Sequence, residues 1–253
     1  MRAVNKYVST TREIVRHVLG RIGLHSALLA WRRTRGLNVN YLYSHSRGEA
    51  FQRIYKDKIW TLGQPNTPLS GSGSSLDATT DIRHDLPVIL DKIVCKTLLD
   101  VGCGDQAWIS SLELEQKYIG IDVVSSVIEE NRRRYPGPRS EYYCLDAVTD
   151  ELPDADTALC REVLFHLSFA DGLDLVRNLA RKQRKYLIAT TDRTTLFNAD
   201  VRSGDFRILN LTRGPFRFPK PDFAIDDAGV MPGRQLAVWR FDRLSHLSGR
   251  GWP

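Results

Sequence analysis

The sequence has 253 residues, 42% hydrophobic and 26% charged, the proportions of a globular chain with a sizeable core. These values exclude global disorder, collagen and a coiled coil, and the length suits one α/β domain with an N-terminal appendage. The net charge is +6, but residues 1–36 hold eight Lys and Arg against the single Glu13. The remaining chain is near neutral and lacks the broad basic face of a dedicated nucleic-acid binder, so no nucleic-acid partner is expected.

Residues 1–62 read as a basic helical extension. Ile14, Val18 and Ile22 recur every four residues beside Val15 and Leu19, with arginines between them, the pattern of an amphipathic helix. The longest uncharged run, residues 22–31, is too short to span a bilayer about 30 Å thick, and arginines interrupt what would be a signal-peptide core. No transmembrane or secretion segment is therefore expected. Packing on the main domain, a homodimer formed across this helix, peripheral contact with an anionic membrane, and disorder all stay open. Cys95, Cys103, Cys144 and Cys160 form no CxxC pair, so neither a zinc site nor a disulfide framework is expected, and a reducing cytoplasm fits.

The stretch 63–75 is rich in Gly, Pro and Ser, and is either a linker or a ligand loop. A helix is expected next, with Leu76, Ile82, Leu86 and Leu90 on one face. Within it Arg83 either meets an anionic ligand group or pairs with Asp81 or Asp85. Thr97–Val101 reads as a buried strand. Gly102 and Gly104 follow it at once and let the backbone turn tightly and approach a ligand. A second strand, 118–123, carries Asp122 and Val123 at its end, and Asp122 lies near the spacing of about 20 residues at which a carboxylate receives a ribose diol.

The string Gly102-Cys-Gly104-Asp-Gln-Ala107 also fits G-x-G-x-x-A, so a nicotinamide or flavin enzyme has to be weighed. Asp100 and Asp105 tell against it, because two carboxylates would face an anionic pyrophosphate. S-adenosylmethionine has no phosphate and carries a sulfonium and an ammonium group, to which acids are attracted. A third strand, 142–147, ends on Asp146 and Ala147, where an adenine amino group could bind. The run 157–168 reads as a strand passing into a helix, with Arg161, Glu162 and His166 on the side of the sheet where α/β ligands bind.

This order of motifs resembles the class I S-adenosylmethionine-dependent methyltransferases over residues 97–191. The resemblance implies a Rossmann-like fold with a seven-stranded sheet in three αβα layers and S-adenosyl-L-methionine as cofactor. It also implies that Asp100, Gly102 and Gly104 line the donor's methionine end, Asp122 the ribose and Asp146 the adenine. A narrower likeness rests on Ser70-Gly-Ser-Gly-Ser-Ser-Leu, Ile82-Arg83-His-Asp-Leu-Pro87, Cys160-Arg-Glu-Val-Leu-Phe-His166-Leu-Ser168, Phe206-Arg207-Ile-Leu-Asn210-Leu, and Pro215-Phe216-x-Phe-Pro219-x-Pro221. These strings are similar to a small group of bacterial and viral methyltransferases, some of which modify sugar hydroxyls in polysaccharides. The implied acceptor is a sugar or oligosaccharide, such as a mannose- or rhamnose-type glycan. Where relatives usually have Gly-Gly-Trp-Arg this chain has Gly204-Asp205-Phe206-Arg207, on the acceptor side, and its glycine turn lacks a proline found in many.

Methyl transfer to an alcohol needs in-line alignment and a base for the departing proton. His166 is the candidate base, with Glu162 one turn earlier to orient it. Asp105 is an alternative base, a contact for the donor's ammonium, a ligand for a divalent metal such as Mg²⁺, or a cap for a following helix. No compact acid cluster identifies a metal site. After a fifth strand, 186–191, the segment 192–221 is expected to form an acceptor lid within a catalytic domain spanning 63–253, with Arg207, Asn210 and Phe216 meeting substrate. A last antiparallel strand is expected over 235–244. Methylation of a small-molecule nitrogen or carboxylate is the alternative activity.

Overall fold

The computed structural model describes residues 14–15, 17–19, 24–182 and 184–247. Much of the basic N-terminal pattern, including Arg2, Lys6, Arg12, Arg16, Arg21 and Ile22, lies outside the described residues. Residues 14–15 and 17–19 are helical, followed by α1 (His25–Thr34) and α2 (Arg47–Lys56). The start of α2 is written in the sequence: the Ser46 hydroxyl accepts the Glu49 N–H at 3.1 Å, and the Glu49 carboxylate reaches back to the His45 N–H at 2.9 Å.

Seven strands form one sheet: β1 (Thr97–Val101), β2 (Lys117–Asp122), β3 (Ser140–Cys144), β4 (Thr157–Cys160), β5 (Tyr186–Asp192), β6 (Phe223–Asp226) and β7 (Arg234–Arg240). Their spatial order is β3-β2-β1-β4-β5-β7-β6, with β7 antiparallel to both neighbours and the rest parallel. The order reverses between β1 and β4, and a crevice at the carboxyl ends of these strands is where open α/β sheets bind ligands.

The central strands are apolar on both faces because both are covered. Leu98, Leu159, Ile188 and Val238 pack with Ile82, Leu86 and Leu90 of α3 (Thr80–Lys92) and Ile128 of α4 (Ser125–Arg134). Their neighbours Leu99, Ala158, Leu187 and Trp239 point the other way, onto Leu175, Val176 and Leu179 of α5 (Phe169–Ala180). This is the expected three-layer Rossmann-like fold.

Three local expectations are corrected. The glycine turn leads only into a short 3-10 turn, Ile109–Ser111, so Asp105 caps no long helix. The third strand stops at Cys144, before Asp146. Glu162 sits in the left-handed region at φ 65° and opens a 3-10 turn, Val163–His166, before α5 begins. Strand β4 therefore does not run straight into a helix.

Candidate active site

The carboxyl ends of β1, β2 and β4 open into a cleft lined by Asp100, Gly102, Gly104, Asp122, Glu162 and His166 among others. Gly102 and Gly104 have φ of 64° and 58°, and neither position has room for a side chain. A Cβ on Gly102 would lie 2.6 Å from Val163, and one on Gly104 would lie 3.1 Å from the Ser70 side chain. Glycine at both positions lets the turn pack closely against Val163, Ser70 and Tyr55 at the cleft wall.

Asp122, at the end of β2, accepts the backbone N–H groups of Gly104 at 3.1 Å and Val124 at 3.0 Å. Burial pushes its carboxyl up to about 6, against the pull of these backbone hydrogen bonds. Burial raises Asp100 further, to about 7, even though its carboxylate accepts the Tyr118 hydroxyl at 2.6 Å. Two partly neutralised acids at the floor of a cleft suit a cationic ligand, which would restore their charge.

Asp146 also lines the cleft, gripped by the Arg47 guanidinium at 2.8 Å and by the Val148 N–H at 3.0 Å. Beside it Val123, Leu145, Ala147, Val148 and Leu175 make an apolar bay of a kind that takes a flat base. Arg161 stands at the other end, its guanidinium 5.3 Å from the Trp108 ring centre and bonded to the Gly73 carbonyl at 2.8 Å. Its Nε is buried without a partner. Glycine cradle, buried acids, apolar bay and a buried guanidinium line one cleft, a set of groups whose chemistry fits S-adenosylmethionine.

The turn after β4 supplies a second set of groups. His166 lines the cleft, and its Nδ1 lies 3.1 Å from the Asp205 carbonyl oxygen. A carbonyl can only accept, so Nδ1 carries the proton and Nε2 keeps a lone pair. Burial lowers this imidazole to about 4, so it is neutral at physiological pH. Trp60 and Phe206 pack against it in tilted arrangements, with ring centres at 4.8 and 5.4 Å. The Asp205 carboxylate is in turn paired with Arg32 of α1 at 2.8 Å.

Glu162 lines the cleft but does not orient His166. Both its oxygens lie 3.1 Å from a single Arg234 nitrogen, and burial raises its carboxyl despite that pairing. Asp105 is also placed differently from expectation. It accepts the Leu69 N–H and the Ser70 hydroxyl, both at 2.6 Å, and so fastens the Gly/Ser loop to the glycine turn rather than lining the cleft. Through Ser70 and Ser74 that loop is one wall of the site, more than a linker. Among the described residues no three His, Cys, Asp or Glu gather as metal ligands, and both Asp105 oxygens are engaged, so the residues present do not fit a bound Mg²⁺.

Four further expected contacts lie outside the cleft. Arg83 donates to the Leu76 carbonyl at 3.0 Å and is not among the residues lining the cleft. Arg207 is almost wholly buried and donates to the Leu164 and Leu167 carbonyls. Asn210 accepts from Thr212 and donates to Thr195, both within the same segment. Phe216 is fully buried against Phe169 and Phe218. The last three hold the segment 192–221 in place, because each side chain is consumed by neighbours before any substrate could reach it.

The extension contributes what the sequence reading missed. Arg47, Phe51 and Tyr55, at i, i+4 and i+8 on α2, form a stripe facing the cleft, and Trp60 follows them. That spacing was the available signal. Residues 47–60 are thus part of the site's wall although they precede residue 63.

Residues 99–186 match the family model described as a methyltransferase domain. The fold is similar to human N-acetylserotonin methyltransferase solved with its donor, at 13% identity and a TM-score of 0.57, covering 88% of this chain and 68% of that one. It is also similar to the N-methyltransferase NodS of Bradyrhizobium japonicum in complex with S-adenosyl-L-homocysteine, at 15% identity and a TM-score of 0.50, covering 77% of this chain and 97% of that one. A search of curated proteins finds none that matches. The match over residues 99–186 and the two structural likenesses thus agree on the Rossmann-like fold, and the matched stretch runs from β1 to the start of β5, through the strand ends that line the cleft.

Proposed function

We propose that the protein methylates a hydroxyl group, on a sugar or oligosaccharide acceptor. The observation that carries this reading is the neutral imidazole of His166, fixed by the Asp205 carbonyl so that Nε2 is free to accept a proton. A carboxylate acceptor has no proton to lose, whereas an alcohol must lose one. When bound, the donor supplies an electrophilic methyl carbon: the acceptor oxygen bonds to it as its bond to sulfur breaks and the electron pair stays on sulfur.

The chain's own groups then have separable tasks. His166 Nε2 receives the hydroxyl proton. A weakly basic imidazole suffices, because an alcohol oxygen becomes strongly acidic as it gains the methyl group. Trp60, which lines the cleft, and Phe206 both pack beside the His166 ring, aromatic surface of the kind on which the C–H face of a sugar ring packs. Asp100, Gly102, Gly104, Asp122, Asp146 and Arg161 bind the donor, and Glu162, held by Arg234, borders the reacting end.

The purified full chain, given radiolabelled donor and a panel of mono- and oligosaccharides, amines and carboxylates, should yield a base-stable methyl ether on a sugar. A methylamine or methyl ester as the sole labelled product would overturn the reading.

A further inference from the structure

We infer that the outer face of the N-terminal helical segment docks on an anionic phospholipid surface. The inner face of this segment is committed. His17 accepts the Asp200 N–H at 3.1 Å and packs edge-on to Phe197, Leu29 is fully buried, and Arg32 pairs with Asp205. The outer face is apolar and open. Ile14, Val15 and Val18 are 40–51% exposed on the first helical stretch. Along α1 and the residues that cap it, Leu24, Ala27, Trp31 and Arg35 follow one another at i, i+3, i+7 and i+11, with Leu24 46% and Trp31 52% exposed. The Arg35 guanidinium lies 5.0 Å from the Trp31 ring centre.

Charge decides what covers this face. Residues 1–36 carry eight Lys and Arg and one acid, more than the whole chain's net +6. A second copy would bring the same excess against itself, whereas an anionic leaflet attracts it, by about fivefold in affinity per cation near the surface. Tryptophan flanked by arginines on an amphipathic helix suits the headgroup layer. No described helix is long and apolar enough to cross a membrane, so the segment lies on the surface rather than through it. The docked helix is bonded through Arg32 to Asp205, whose carbonyl holds His166, so it belongs to the same packed unit as the acceptor wall.

Cosedimentation of the full chain with phosphatidylcholine vesicles containing one-third phosphatidylglycerol, and with phosphatidylcholine alone, tests this. Binding should be at least tenfold tighter to the anionic vesicles and should weaken as salt is raised. Trp31→Ser, and separately the pair Arg33→Glu with Arg35→Glu, should each weaken it about tenfold, while S-adenosylhomocysteine binding by calorimetry stays unchanged and shows the variants folded. Equal binding to both vesicle types, or variants that bind as the parent does, would overturn the inference. So would a dimer in sedimentation that Trp31→Ser dissolves while the parent ignores vesicles.

Discussion

The two halves of the cleft are built by opposite means. The floor of one half comes from groups close in sequence: Asp122, the last residue of β2, reaches Gly104 across 18 residues, and Asp100 lies next to the end of β1. The acceptor half is assembled over long distances, with His166 held by a carbonyl 39 residues away and that residue held by an arginine 173 residues away. Burial shifts both halves, and in opposite directions, because it disfavours charge in each. It raises the carboxyls of Asp100 and Asp122 and lowers the imidazole of His166. The lesson is that one half is tuned to welcome a cation and the other to stay uncharged.

The sharpest way to separate the halves is His166→Ala. It should lower kcat by about 10²- to 10⁴-fold and leave donor affinity unchanged, read by steady-state kinetics beside calorimetry with S-adenosylhomocysteine. Next comes Arg207→Met, which strips the Leu164 and Leu167 carbonyls of their buried donor and should cost about 3 kcal/mol of stability in denaturant unfolding. An unchanged stability with a raised acceptor KM would instead return Arg207 to the substrate. On the donor side, Asp122→Asn should weaken donor binding by about 10- to 100-fold, the effect of losing charged hydrogen bonds.

Acidity distinguishes the halves without mutation. Between pH 7.5 and 5.5 the free protein takes protons on Asp100 and Asp122, near 7 and 6, and a cationic donor must displace them. Donor affinity should therefore fall with pH, by up to about tenfold per unit for each group. By contrast, kcat at saturating donor should hold its plateau until the pH approaches 4, where His166 gains its proton. Stability is a poorer readout, since the two effects oppose. Raised carboxyls make the folded chain lose stability as pH rises from about 4 to 7, while the lowered imidazole makes it gain over about 4 to 6.5. The smallest expected effect is Phe206→Ala, a rise of about three- to tenfold in acceptor KM with donor affinity unchanged.

Legibility in the sequence follows the same division. That Asp100, Gly102, Gly104, Asp122 and Asp146 share one cleft is legible because strand, turn and acid are neighbours in the chain, and period-2 and period-3.6 patterns place them. Trp60 and the Asp205 carbonyl carry no local pattern. A backbone oxygen is the same in every residue, and only the folded segment 204–207, zipped to the 163–167 turn through Gly204 and Arg207 backbone bonds, aims it at His166. Arg207, Asn210 and Phe216 stood in recognisable strings, yet those strings mark where the segment is pinned. A string records that a residue matters locally, and burial decides whether the reason is substrate or support.

The clasp between Asp105 and the Leu69–Ser70 backbone and hydroxyl has a kinetic consequence. One wall of the donor cleft is fastened by two short charge-assisted hydrogen bonds, each worth about 1.5–3 kcal/mol. Unlatching is then a rare excursion, populated at roughly one part in a hundred to one in ten thousand. Any motion that needs this wall displaced is therefore slowed by a single carboxylate's grip on a serine loop.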